Sequence, residues 1–298
     1  MNKIISDEHI INGKFLADVV IDEVKSEISD LLKYASDNHV TQRLPHLAII
    51  LVGDNPASEL YVKTKSNRAK EIGIETSLYK FSNTVKEQDI LFLIDTLNKD
   101  SDINGIMIQL PLPKNINTES ILNSVLPIKD VDGTCDDSEF IPATARAIIK
   151  VIDTVADELN IDLNNKTATV VGSSKEVGKP VHNILISKGI LSQIVDKSFS
   201  EDYIKNLCTN SDIIVSATGS AGLIKQDWVK YNSIVVDVGI TKIGVSASGK
   251  AILRGDTDIN NIKEKVIAIT PVVGGIGPVT VSMLMSNIVQ AYKLQYKE

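Results

Sequence analysis

Residues 167–184 read TATVVGSSKEVGKPVHNI, and this stretch decides the fold class. Its first five residues are mostly β-branched, which suits a strand. The strand closes at Gly172, a short polar loop comes next, and Gly178 and Pro180 open a helical pattern. Free backbone N–H groups at a helix start, together with the helix dipole, favour an anion such as a phosphate. The stretch lacks the usual GxGxxG spacing, so alone it fits either a nucleotide site or a plain strand-to-helix turn. The neighbouring strands favour the nucleotide. Asp196 closes the next strand, where an acid commonly bonds a ribose 2′-hydroxyl. Two more apolar strands, Asp212–Ala217 and Ser233–Val238, then run into Thr218-Gly219 and Gly239. Small residues at the carboxyl ends of successive strands admit a flat cofactor there.

Further out, expected strands are Leu47–Val52, Gly105–Gln109, Gln193–Asp196 and Val266–Ile269. Several are continuous apolar runs, the pattern of strands covered on both faces in a parallel sheet. Helical patterns lie between them. Thr84-Val85-Lys86-Glu87 reads as a capping box ahead of an apolar stripe at Ile90, Leu91, Ile94 and Leu97. Thr144 reads as the cap of a helix carrying Ile148, Val151, Ile152, Val155 and Leu159. The alternation of strand and helix makes the class α/β with right-handed crossovers. The chain of 298 residues is expected to form two lobes. Residues 1–142 would be an N-terminal α/β catalytic domain and 143–276 a Rossmann-like parallel-sheet nucleotide-binding domain. Residues 277–298 would be a C-terminal helix returning to the first domain.

Composition narrows the chemistry. Aromatics are only 4%, so the core must be aliphatic. Lys and Arg total 31 against 38 Asp and Glu, a net charge of −7, which gives no nucleic-acid footprint. Two cysteines without CxxC spacing and four histidines without HExxH or HxxxH spacing point to no metal site. No window approaches the length of a membrane span, and the start does not read as a leader, so a cytoplasmic location is the expectation.

Three segments of the first lobe carry candidate chemistry. Tyr61 and Lys65 lie four apart in PASELYVKTK (56–65) and share a helix face. Gln109 ends the apolar strand of GIMIQLPLP (105–113), just before prolines that stop strand pairing. KDVDG (129–133) places Asp130 and Asp132 on a turn. Each alone fits an ordinary surface or turn role. Together with VVGSSKEVGKP (170–180), DVGI (237–240), GDTD (255–258) and TPVVGGIGPVT (270–280), they resemble the bifunctional methylenetetrahydrofolate dehydrogenase/methenyltetrahydrofolate cyclohydrolase family over nearly the whole chain.

The resemblance implies oxidation of 5,10-methylenetetrahydrofolate with a nicotinamide cofactor, then hydrolysis of the methenyl product to 10-formyltetrahydrofolate. It implies tetrahydrofolate derivatives as substrates and a homodimer formed through the nucleotide domain. It makes Lys65 the central catalytic residue, held and tuned by Gln109, with Asp132 on the pterin ring and Tyr61 flanking the folate. Gly277, Pro278 and Thr280 would line the folate side. Gly172, Ser173, Ser174, Asp196, Lys197 and Ile240 would contact the cofactor.

The chain departs from the family pattern in three places. Residues 142–147 read PATARA where the family often has Pro-Cys-Thr-Pro-x-Gly, Ser173 stands where many members have Arg, and Val273 replaces a usual Pro. Ser173 and Asp196 lean towards NAD, Lys197 leans towards NADP, and NADP is the family default. Two other readings stay open: a cyclohydrolase with weak or NAD-linked dehydrogenase activity, and a non-catalytic folate- or nucleotide-binding relative.

Overall fold

The computed structural model describes residues 3–37, 43–246, 249 and 251–296. Two compact units emerge, one of Val19–Ala143 with Val281–Glu298 and one of Met1–Asp18 with Thr144–Thr280. Each is built on its own parallel sheet.

Helix α1 (Gly13–Asp37) opens the chain and is followed by β1 (His46–Val52), α2 (Pro56–Glu71), β2 (Glu75–Phe81), α3 (Glu87–Lys99), β3 (Gly105–Gln109) and the short α4 (Thr118–Leu122). The strands form a three-stranded parallel sheet in the order β2-β1-β3. Six of the seven β1 residues and the first four of β3 are buried, as expected of strands covered on both faces. One face packs against the stripe of Ile90, Ile94 and Leu97. Asn55 caps α2 by accepting hydrogen bonds from the N–H groups of Ala57 and Ser58, and Pro56 takes the first helical position.

The second unit begins within α5 (Ala143–Leu159) and continues through β4 (Thr167–Val171), α6 (Gly178–Ser187), β5 (Leu191–Val195), α7 (Glu201–Thr209), β6 (Ile213–Ser216), β7 (Ile234–Asp237), β8 (Thr241–Val245), β9 (Ala251–Arg254), α8 (Ile259–Ile262) and β10 (Ala268–Ile269), before α9 (Ile276–Gln295) closes the chain. Its sheet is five-stranded and parallel, in the order β10-β7-β6-β4-β5. The chain goes from β4 to β5 on one side, then returns past β4 to β6 on the other. That reversal is the topological switch at which open α/β sheets bind their ligands.

Several expectations need correction. The capping box at Thr84 does not form: Lys86 is the N-cap of α3 and makes no side-chain cap bond. Thr84 instead pairs with the Ser82 hydroxyl, and Glu87 accepts the Asn117 N–H at 2.8 Å. Helix α5 starts at Ala143, so Thr144 lies inside its first turn and is not its cap. Strand β2 was not expected, because as an edge strand it lacks a continuous apolar run. The antiparallel pair β8–β9 was also unforeseen, and most of its residues are exposed.

The first eighteen residues group with the five-stranded unit, away from the rest of 1–142. Ile10 bridges to Ile269, the Ile11 N–H donates to the Ile269 carbonyl at 2.8 Å, and Glu158 accepts the Ile4 N–H. The C-terminal part of α9 belongs to the three-stranded unit, where the Asn287 amide donates to the carbonyls of Val131 and Ile141. Among the described residues no helix is long and apolar enough to cross a membrane.

Candidate active site

In the three-stranded unit, Lys65 projects from α2 towards the end of β3. It is only 9% exposed, an unusual state for a lysine. Its ammonium lies 3.4 Å from Gln109 Oε1 and 3.1 Å from the Met107 thioether. The Gln109 amide N–H donates to the Leu110 carbonyl at 2.8 Å, and this fixes the oxygen towards the lysine. Neither partner is charged. An ammonium has three donors, so one remains for a ligand. Tyr61, one turn earlier on α2, is 43% exposed.

KDVDG divides into a scaffold and a free carboxylate. Lys129 is buried, and its ammonium donates to the carbonyls of Leu97 and Asp100 at 2.9 and 2.6 Å. Asp130 is buried and accepts from the N–H groups of Thr134 and Cys135 and from the Thr134 hydroxyl. Asn287 holds the Val131 carbonyl. With its neighbours pinned on both sides, Asp132 is half-buried, and among the described residues no hydrogen bond reaches its carboxylate. Burial raises its proton affinity, the Lys65 ammonium opposes that, and the Asp130 carboxylate adds to it. A carboxylate with both oxygens available can accept two adjacent N–H groups of a planar ligand.

The five-stranded unit carries the nucleotide-type elements. A Cβ on Gly178 would lie 1.8 Å from the Gly172 carbonyl oxygen, so only glycine lets α6 begin this close to the end of β4. Gly172 has φ +115°, a conformation open to glycine. The N-cap of α6, Val177, contributes no side-chain bond. Ser174 is exposed and accepts the Val177 N–H at 3.2 Å.

At the end of β5 the Asp196 carboxylate is held from two sides. One oxygen accepts the Ser173 hydroxyl, and the other accepts the N–H and hydroxyl of Ser198 at 3.0 and 2.6 Å. The Ser173 bond, followed by those from Ser198, brings its pKa down to about 2. Lys197 is exposed beside it. Ile240, just past β7, is 48% exposed. Gly277, Pro278 and Thr280 lie in the first turns of α9 and belong to the five-stranded unit.

The structure therefore brings Lys65, Gln109 and Asp132 together, with Tyr61 one turn away on α2. Sequence reading missed Met107, hidden in an apolar run, and Ser198. The signal for Ser198 was its place two residues after Asp196, an Asx-turn spacing.

A parallel sheet with a glycine-tight strand–helix junction and an acid at the next strand end defines a nucleotide-binding α/β unit of the dehydrogenase class, here joined to a unit bearing a buried lysine. Residues 142–296 match the NAD(P)-binding domain, and residues 11–132 the catalytic domain, of the tetrahydrofolate dehydrogenase/cyclohydrolase family. The chain belongs to that family. It is 38% identical to the bifunctional protein FolD of Wolbachia pipientis, over 96% of each chain. The crystal structure of the Campylobacter jejuni bifunctional enzyme FolD superposes with a TM-score of 0.83 at 34% identity, covering 95% of this chain and 98% of that one. The Trypanosoma brucei enzyme, solved with NADP cofactor and inhibitor, gives a TM-score of 0.88 at 26% identity over the whole of both chains.

Replacing Ser173 with Ala removes the bond that lowers the Asp196 pKa most. Carboxyl titration by NMR is expected to show that pKa rising from about 2 towards the ordinary aspartate range near ~3.9. An unchanged value would mean that Ser198 alone holds the carboxylate.

Proposed function

We propose that this chain oxidises 5,10-methylenetetrahydrofolate and hydrolyses the 5,10-methenyl product to 10-formyltetrahydrofolate, with Lys65 as the proton-transfer group and Asp132 as the pterin anchor. The observation that carries the reading is the buried Lys65 ammonium, held by the neutral Gln109 amide in the same unit as the unpaired Asp132 carboxylate.

Asp132 would accept the two neighbouring N–H groups of the aminopyrimidinone edge, and Tyr61 would flank the ring system. These contacts fix the bridging carbon in place, and orientation is the main demand of hydride transfer. The nicotinamide cofactor, when bound, supplies the hydride acceptor. The five-stranded unit fits such a group: the Gly172–Gly178 junction would leave the start of α6 open to a pyrophosphate, and Asp196, at the end of β5, would accept a ribose hydroxyl.

Hydrolysis begins when water adds to the methenyl carbon and releases one proton. Lys65 then gives a proton to N5. The carbon–N5 bond breaks, and the carbon keeps its oxygen as the formyl group on N10. The hydroxyl proton returns to Lys65, so the lysine ends as it began. Gln109 Oε1 keeps the ammonium aimed throughout, because its own amide is tied to the Leu110 carbonyl.

The family default for the cofactor is NADP, but the strand end of this chain favours NAD. Ser173 replaces a cationic partner with a neutral one, and its hydroxyl is engaged by Asp196. The Asp196 carboxylate, held near a pKa of about 2, stays charged at every physiological pH. A fixed anion there accepts ribose hydroxyls and repels a 2′-phosphate. The neighbouring Lys197 works the other way.

Lys65→Met is expected to cut hydrolysis by roughly a hundredfold or more, the scale of a lost general acid–base group, while the protein still folds. Full hydrolysis by that variant, followed by the loss of methenyl absorbance, would remove Lys65 from the mechanism. Initial dehydrogenase rates at matched cofactor concentrations are expected to favour NAD over NADP, and a strong NADP preference would overturn the assignment to Asp196.

A further inference from the structure

The aspartates of DVGI and GDTD, to which the sequence alone assigns no task, meet at the carboxyl ends of β6 and β7. Asp237 is 2% exposed and Asp256 is fully buried. They interlock through each other's glycines. A Cβ on Gly239 would lie 2.0 Å from Asp256 Oδ1, and a Cβ on Gly255 would lie 2.1 Å from Asp237 Oδ2. Each motif thus supplies a carboxylate and the gap that admits its counterpart.

Seven hydrogen bonds surround the pair. Asp237 accepts from the N–H groups of Gly239, Asp256 and Thr257 and from the Thr257 hydroxyl, at 2.7 to 3.0 Å. Asp256 Oδ2 accepts from the Ser216 hydroxyl and from the N–H and hydroxyl of Thr218. Both Asp237 oxygens accept backbone N–H groups, as a carboxylate does, while all three Asp256 bonds fall on Oδ2. Burial, the largest influence, leaves the Asp237 pKa above the ordinary carboxylate value; the Thr257 and Asp256 bonds oppose it and the Asp256 charge adds to it. Among the described residues no lysine or arginine pairs with either carboxylate; the nearby Arg254 sits 3.9 Å from Asp258 instead. Asp256 Oδ1 is buried with no partner at all.

A buried oxygen without a donor is costly, and hydrogen-bond donors alone do not cancel a buried negative charge. The fold keeps this uncompensated negative potential at one place, behind Thr218-Gly219 and Gly239-Ile240. Its position on the sheet matters. With the adenosine ribose at Asp196 beyond β5, a dinucleotide crossing the switch between β4 and β6 lays its other end over β6 and β7. That end is a pyridinium cation when oxidised and a neutral ring when reduced. We propose that Asp237 and Asp256 make this end of the site discriminate between the two redox states, holding the oxidised cofactor more tightly relative to the reduced one than an uncharged wall would. The inference rests on the cofactor site proposed above. It makes the pair positioning and electrostatic residues that act through the wall and do not touch the substrate.

The test is equilibrium binding of NAD+ and NADH to the full-length protein by calorimetry, or of NADP+ and NADPH if the rates favour them. The adenosine and pyrophosphate contacts are common to both forms, so the ratio of the two dissociation constants isolates the nicotinamide end. Asp256→Asn keeps the shape and removes one charge. It is expected to weaken the oxidised form by about tenfold relative to the reduced form, the size of one unit charge acting across a short, partly screened distance. Two dissociation constants that rise together, or a ratio that does not move, would overturn the proposal and leave the pair as structural pins. The unsubstituted protein tests it as well, whatever the folding of the variant. It should bind the oxidised form about as tightly as the reduced form, and a preference of more than about tenfold for the reduced form would overturn the proposal. Failure of either form to bind would instead defeat the cofactor site itself.

Discussion

Parallel strands all finish at the same edge of their sheet, and the groups left at that edge must be satisfied by something other than the next strand. Both units of this protein are organised by that constraint. In the three-stranded sheet, β3 ends on Gln109, whose amide turns back to its own backbone and leaves an oxygen for Lys65. In the five-stranded sheet, β4 ends on a glycine that α6 almost touches, and β7 ends on a carboxylate that ties Gly239 to the segment after β9. The residues proposed to bear function are those whose polar groups keep a hydrogen-bonding position open.

The same side chain serves different ends according to the donors around it and its burial. Asp130 has its carboxylate filled by Thr134 and Cys135 and works as a structural pin. Asp132, two residues later, accepts none among the described residues, which is why it is proposed as the ligand's anchor. Asp196 accepts two hydroxyls and one N–H yet is only partly buried, so it stays ionised and, in the proposed function, would accept a ribose. Asp237 and Asp256 are saturated or nearly so, and buried. Lysines divide in the same way. Lys129 spends its donors on two backbone carbonyls, while Lys65 keeps only a thioether and one amide oxygen. Net charge therefore says little about the chemistry of either unit; the local count of donors and acceptors decides it.

The sequence made the buried strands legible because burial on both faces demands continuous apolar runs, as in Leu47–Val52 and Thr167–Val171. It hid β2, whose Glu75-Thr-Ser-Leu-Tyr-Lys-Phe81 mixes polar and apolar residues at an edge, and it hid the exposed β8–β9 pair. Helix stripes were visible, but helix starts were not. Thr84 and Thr144 have the right chemistry for caps, yet Thr84 pairs with Ser82 and α5 begins one residue before Thr144. The catalytic candidates were marked by their motifs, whereas the interlock of Gly239 with Asp256 and Gly255 with Asp237 joins segments far apart in the chain, and no local pattern reveals it.

The central claim is a division of labour: Asp132 binds the pterin and Lys65 moves protons. Calorimetric titration of a stable tetrahydrofolate analogue into Asp132→Asn and Lys65→Met side by side tests it most directly. The Asp132 variant is expected to lose at least about tenfold in affinity, the scale of a lost pair of charge-assisted hydrogen bonds, while the Lys65 variant binds nearly as the unsubstituted protein does. Unchanged affinity in the Asp132 variant, with binding lost in the Lys65 variant, would contradict it.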